Sequence, residues 1–203
     1  MSTGEKGETV SVIACCSATG VFLPPLIIFN RIRRKQELAD GLPSGSEFYI
    51  TESGYAQTVT FRASVQFFCK HKPAGNTLLI MDGHRSHVDY KALSIAVDND
   101  ITILLLPAHT SHELQPLDKS VFKALKSAFY SQCKTWHSVH LGRALTKITF
   151  HQVFSERTTL RSLYAMGRPS VCLSVCLLSV CCLWRWCTLL RRLNFSAIFF
   201  TIR

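Results

Sequence analysis

Two carboxylates stand where the sequence could do chemistry. Asp82 opens the polar cluster DGHRSH, and Asp118 closes the cluster PAHTSHELQPLD. Each cluster follows a short apolar run, 77–81 in the first case and 101–106 in the second. Carboxylate oxygens suit hard divalent cations such as Mg²⁺. A metal held between two such groups can activate one oxygen nucleophile and steady a leaving oxygen. Each residue also has a purely structural reading. Asp82 can close an Asx turn with Gly83, and Asp118 can cap a helix beginning at Lys119-Ser120-Val121. The same clusters carry two H-x-x-H pairs, His84 with His87 and His109 with His112. Imidazole is an ordinary zinc ligand. No cysteine lies near either pair, and the other reading is a role in orienting the carboxylates or touching phosphate. No G-x-S-x-G, P-loop or dinucleotide fingerprint is present, so no small-molecule cofactor is expected.

Positioning two distant carboxylates together falls to the elements between them. Residues 77–81 and 101–106 read as strands, and residues 87–97 as a helix with Val88, Ala92, Ile95 and Ala96 on its apolar stripe. Such a strand–helix–strand unit makes a right-handed parallel pair. Both polar clusters then leave one edge of the sheet, where open α/β sheets place their sites. After Asp118 a second helix is expected to about Trp136, its core face carrying Val121, Leu125, Ala128, Phe129, Cys133 and Trp136. Lys119, Lys123, Lys126 and Lys134 fall elsewhere on it, as a solvated face or a basic rim.

Upstream, residues 9–17 (TVSVIACCS) read as a strand buried on both faces, followed by an Ala18-Thr19-Gly20 turn. Residues 21–29 read as its hairpin partner, with Pro24 and Pro25 forcing an edge or bulge. Residues 47–51 form a short strand. Residues 58–71 are expected to be an amphipathic helix with Val59, Ala63 and Phe67 inward. A further helix is expected over 151–161. The run NRIRRK places Arg31, Arg33, Arg34 and Lys35 in one exposed loop, a solvated turn or a phosphate contact.

The stretches LLIMDGHRSHV and LPAHTSHELQPLDKSVFKALK resemble the pogo/Tigger/jerky group of DDE transposases, to which centromere protein B is related. QPLD with the following Val and Lys is the more specific part. The resemblance implies an RNase H-like α/β domain that cuts and joins DNA with divalent metal held by three acids. Residue by residue, Asp82 matches the second acid and Asp118 the third, each a catalytic residue and a Mg²⁺ ligand. Gly83 departs from the Asn more usual there. In the family the first acid lies on a strand before the one at 9–17, and Glu5 and Glu8 are too close to stand in for it. The expectation is therefore a fold truncated at its N-terminus, without the family's N-terminal DNA-binding region, weak in Mg²⁺ and catalytically silent. The expected domain covers 5–155. Candidate DNA contacts are Arg31, Arg33, Arg34, Lys35, His84, His87, His109, His112, Lys119 and Lys123.

Composition fits that picture. The 203 residues carry a formal net charge of +10, which favours a polyanionic partner, DNA or an anionic membrane face. An apolar content of 47% rules out a chain disordered throughout. Cys15, Cys16, Cys69 and Cys133 are scattered rather than spaced as a disulfide framework. The opening residues are polar and charged, unlike a secretory signal. The nucleus is the location the resemblance implies. From 168 onward the character changes to a low-complexity Cys/Leu-rich tail, expected to stand outside the domain. Residues 171–190 hold one charge, Arg185, and are long enough to cross a bilayer. That stretch reads either as a membrane anchor or as sequence translated outside an original frame.

Overall fold

The structure, a computed structural model, describes residues 9–17, 21–55, 57–72, 74–83, 89–107, 114, 115, 117, 122–154, 177, 178, 180–184 and 192–202. It is a mixed α/β fold of the expected RNase H-like class. Strand β1 (Thr9–Ser17) pairs antiparallel with β2 (Leu26–Asn30), Val10 facing Phe29 and Ile13 facing Leu26. The hairpin is as expected, but the second strand starts late. Before it only Phe22 bridges back, to Cys16, because Pro24 and Pro25 bring no N–H to a ladder. Strand β3 (Glu47–Thr51) lies parallel to β2 and forms that side's edge.

Helix α1 (Thr58–His71) follows, started by a reciprocal capping box between Gln57 and Thr60. Ala63 and Phe67 are buried as expected, together with Phe61, Val65 and Phe68, but Val59 is 69% exposed. The buried stripe is thus wider than the expected series and leaves out its first residue.

The central unit is as the sequence predicts. Strand β4 (Thr77–Met81), helix α2 (Tyr90–Asp98) and strand β5 (Ile101–Leu105) form the crossover, and β4 and β5 pair in parallel from Thr77↔Ile101 to Met81↔Leu105. Asp100 takes a left-handed φ of 56° to end α2, and its carbonyl accepts the Thr77 N–H at 2.9 Å. Ala92 and Ala96 are buried beneath α2, and Ile95 is half-buried. His87 and Val88 lie outside the described residues.

Helix α3 (Phe122–Val139) buries Leu125, Phe129, Cys133 and Trp136, the expected stripe. The helix expected at 151–161 is described only as α4 (Phe150–Val153). It packs on α3 and on β2: Phe150 meets Phe29 edge-on at 5.9 Å and Phe129 at 6.0 Å. Trp136 donates its indole N–H to Gln152 Oε1 at 2.7 Å. One core runs through all of this.

In the tail, β6 (Leu177–Leu178), β7 (Val180–Trp184) and β8 (Arg192–Ile202) are extended. The backbone of β8 lies between β1, to which it is parallel, and β4, to which it is antiparallel. No helix among the described residues is long and apolar enough to cross a membrane. The membrane-anchor reading of 171–190 assumed a continuous helix, and the strand at Val180–Trp184 interrupts it.

Candidate functional site at the strand exits

Asp82 follows the last residue of β4 directly, and is half-buried with its Oδ1 closed off from solvent. The Leu106 N–H donates to the Met81 carbonyl at 2.7 Å, so the exits of β4 and β5 stand abreast. Continuing the ladder from Met81↔Leu105 sets Asp82 beside Leu106, where the chain enters the loop toward Asp118. Further along that loop Gln115 and Leu117 are each 1% exposed, which docks the start of the QPLD motif on the core. Asp118 itself lies outside the described residues, as do His84, His87, His109, His112 and Lys119. The side chain of Lys123 lies outside them too, although its backbone belongs to α3.

The basic run is described in full, and strand direction brings it to the same edge. β2 is antiparallel to β1, and β1 is antiparallel to β4 through their shared neighbour β8, so β2 and β4 point the same way. Residues 31–35 therefore leave the sheet on the side where Asp82 emerges. The Arg31 N–H is tied to the Thr51 carbonyl at 3.0 Å. Its Nε is buried with no hydrogen-bond partner among the described residues. Arg33, Arg34 and Lys35 are exposed. The buried ammonium of Lys147 donates to the Asn30 carbonyl and fixes the end of β2 just before the run.

One functional neighbour escaped the sequence reading. Arg62 on α1 pairs with Asp89, Nε to Oδ2 at 2.9 Å and Nη2 to Oδ1 at 3.2 Å. Asp89 also accepts the Ala92 N–H, capping α2. The Arg62 guanidinium, helped by the backbone N–H groups, holds the Asp89 carboxyl below the usual carboxylate range. This pair anchors the far end of the loop that begins at Asp82. The partners are 27 positions apart on separate helices, a distance no local pattern reveals.

Carboxylate oxygen at a strand exit is the donor chemistry a hard cation takes, and the buried Oδ1 of Asp82 fits it. Among the described residues, no three His, Cys, Asp or Glu side chains gather to hold a metal.

Comparison with known proteins identifies the family. Residues 7–159 match the family described as DDE superfamily endonuclease. The chain is 28% identical over 155 residues to a Cochliobolus lunatus protein named MFS-type transporter clz9, covering 74% of this chain and 17% of that one. It is 25% identical over 137 residues to the human protein Pogo transposable element with ZNF domain, covering 66% of this chain and 9% of that one. The chain thus spans a small part of the relatives it matches. No solved structure matches it. The chain belongs to the DDE endonuclease superfamily.

Proposed function

We propose that the domain binds duplex DNA across the sheet edge where β2, β4 and β5 end, and that Asp82 and Asp118 are its metal-ligand carboxylates. The observation that supports this most is the sharing of one edge by Asp82 and the exposed cations Arg33, Arg34 and Lys35. A phosphate backbone lying along that edge meets cations at one end and carboxylates at the other. Arg31, Lys119, Lys123 and the four histidines are the further proposed contacts. Mg²⁺ bound to the carboxylates would polarise a phosphodiester oxygen. Around it, Asp82 supplies a fixed, partly desolvated oxygen, and the Arg62–Asp89 pair keeps the loop after β4 from swinging away. DNA binding by the basic edge is expected with or without Mg²⁺, and the nucleus is the proposed location.

Gel-shift titration at two ionic strengths tests the binding. Affinity should drop steeply with salt; a salt-independent affinity would sink the electrostatic account. Plasmid incubated with Mg²⁺ tests the carboxylates. Nicking that Asp82→Ala abolishes would support the metal-ligand reading, and nicking that Asp82→Ala leaves intact would sink it. The folded unit is proposed to be residues 5–155, which the family match over 7–159 supports, with the tail of 168–203 adding β8 to its sheet. Truncation after residue 168 should keep a cooperative melting transition, and its loss would make the β8 ladder integral to the sheet.

A further inference from the structure

A cavity of about 240 Å³ opens beside the edge strand β3. The basic run reaches it because the chain folds back after β2. Arg34 sits 4.5 Å over the ring of Phe48, a residue whose ladder partner Ile27 is well inside β2. Phe48 is buried at 5% exposure, whereas Arg34 is exposed, so one face of the guanidinium rests on a ring and the other faces the cavity mouth. Arg34 makes no ion pair among the described residues. Gln36, Ala39, Ser46, Glu47 and Tyr49 complete the walls. The Ser46 Oγ is buried and has no hydrogen-bond partner among the described residues. Glu47 is held in place from outside, by the Lys70 ammonium at 2.7 Å and by the Tyr49 hydroxyl, which donates at 3.4 Å.

We infer that this cavity receives one unpaired nucleobase of DNA, stacked on the Arg34 guanidinium while Arg33 and Lys35 hold its flanking phosphates. The inference rests on the DNA-binding reading above and adds a base-sized subsite to it. The wall chemistry separates a base from a phosphate. A carboxylate in the wall repels a phosphate but accepts the N–H groups of a base edge. The amide of Gln36 and the hydroxyl of Ser46 supply both donor and acceptor. An arginine already paired with an aromatic ring extends the stack by one plane, which is how unpaired bases are commonly held. The volume is below the roughly 300–1,000 Å³ of sites for drug-sized ligands, which restricts the occupant to a single ring system.

Fluorescence anisotropy with the full 203-residue chain tests this on three probes. They are a blunt duplex, the same duplex with one unpaired terminal purine, and the same duplex with an abasic residue in that place. The purine probe should bind roughly ten-fold tighter than the abasic one. Arg34→Lys keeps the charge but loses the planar stack. It should erase the ten-fold difference, bringing the affinity for the purine probe down to that for the abasic one. Ala39→Leu, which fills the cavity, should do the same, with circular dichroism melting as the check on folding. Equal affinity of the native chain for purine and abasic probes would overturn the subsite and leave duplex binding standing. An Arg34→Lys loss that is uniform over all three probes would make Arg34 a phosphate contact and overturn it as well. Failure to bind any probe at low salt would overturn both readings together.

Discussion

β2 and β5 are nearly matched in composition, LIIFN against ITILL, yet the fold treats them oppositely. Leu26, Ile27, Ile28 and Phe29 are at most 1% exposed, while Leu104 and Leu105 are 47% and 38% exposed. β2 has strands on both sides and α4 across its face. β5 pairs with β4 alone among the described residues. Apolar residues in the two strands therefore do different work. Those of β2 hold the fold together, and those of β5 form a rim from which the site loop departs. The difference comes from place in the sheet, not from residue type.

The sharpest way to break this comparison is Phe29→Ala. Phe29 meets Phe48 at 6.1 Å and Phe150 at 5.9 Å, so removing its ring opens a hole between β3 and α4. The expected loss is about 3–5 kcal/mol in a denaturant titration. A loss below ~1 kcal/mol would mean that β2 is no more central than β5. Gly41→Ala probes the same half at its border. Gly41 has φ 72°, and a Cβ there would lie 2.5 Å from the His151 ring of α4. Left-handed backbone alone costs roughly 1–3 kcal/mol for such a residue. Adding His151→Ala should recover part of the loss, and no recovery would place the whole cost in the backbone.

Asp89→Asn tests the site-bearing half. Asn still caps a helix, but the ion pair to Arg62 is lost. Because the folded carboxyl titrates below its ordinary range, its stabilisation is present above that range and disappears as pH falls through the folded value. The variant should therefore melt below the native chain at pH 7 and coincide with it in strong acid. A difference that persists at low pH would indicate that cap geometry, not charge, had been lost. The smallest effect is expected at the rim. Leu104→Ser should change stability by no more than about 0.5 kcal/mol. A larger loss would show that something covers the β5 edge, as flat apolar edges often require.

Element order and the parallel β4–β5 pair could be read from the sequence because they depend on local signals: apolar runs of strand length, polar stops, and a crossover whose handedness is fixed. The exposure of Val59 could not: it shares the helical period of the buried Ala63 and Phe67, and only tertiary packing leaves it at the surface. At the site, the position of Asp82 at a strand exit follows from that same local reading. The Arg62–Asp89 bridge and the Arg34–Phe48 stack do not, since each joins segments that only tertiary folding brings together. The basic run was recognisable as charge, and its exit on the same side of the sheet as Asp82 emerged only from the directions of four strands.

The tie between Lys147 and the Asn30 carbonyl spans 117 positions. On a ribosome adding about 5–20 residues per second, β2 emerges roughly 6–23 s before the segment that covers it. During that interval four consecutive large apolar side chains have the hairpin and the short edge strand β3 beside them but lack α4 across their face. The first strands must then wait for that later segment to complete their folding, against the loop-closure cost of a long-range contact. In a living cell the yield of this protein should accordingly depend on holdase chaperones, and slower translation should lower it by prolonging the wait.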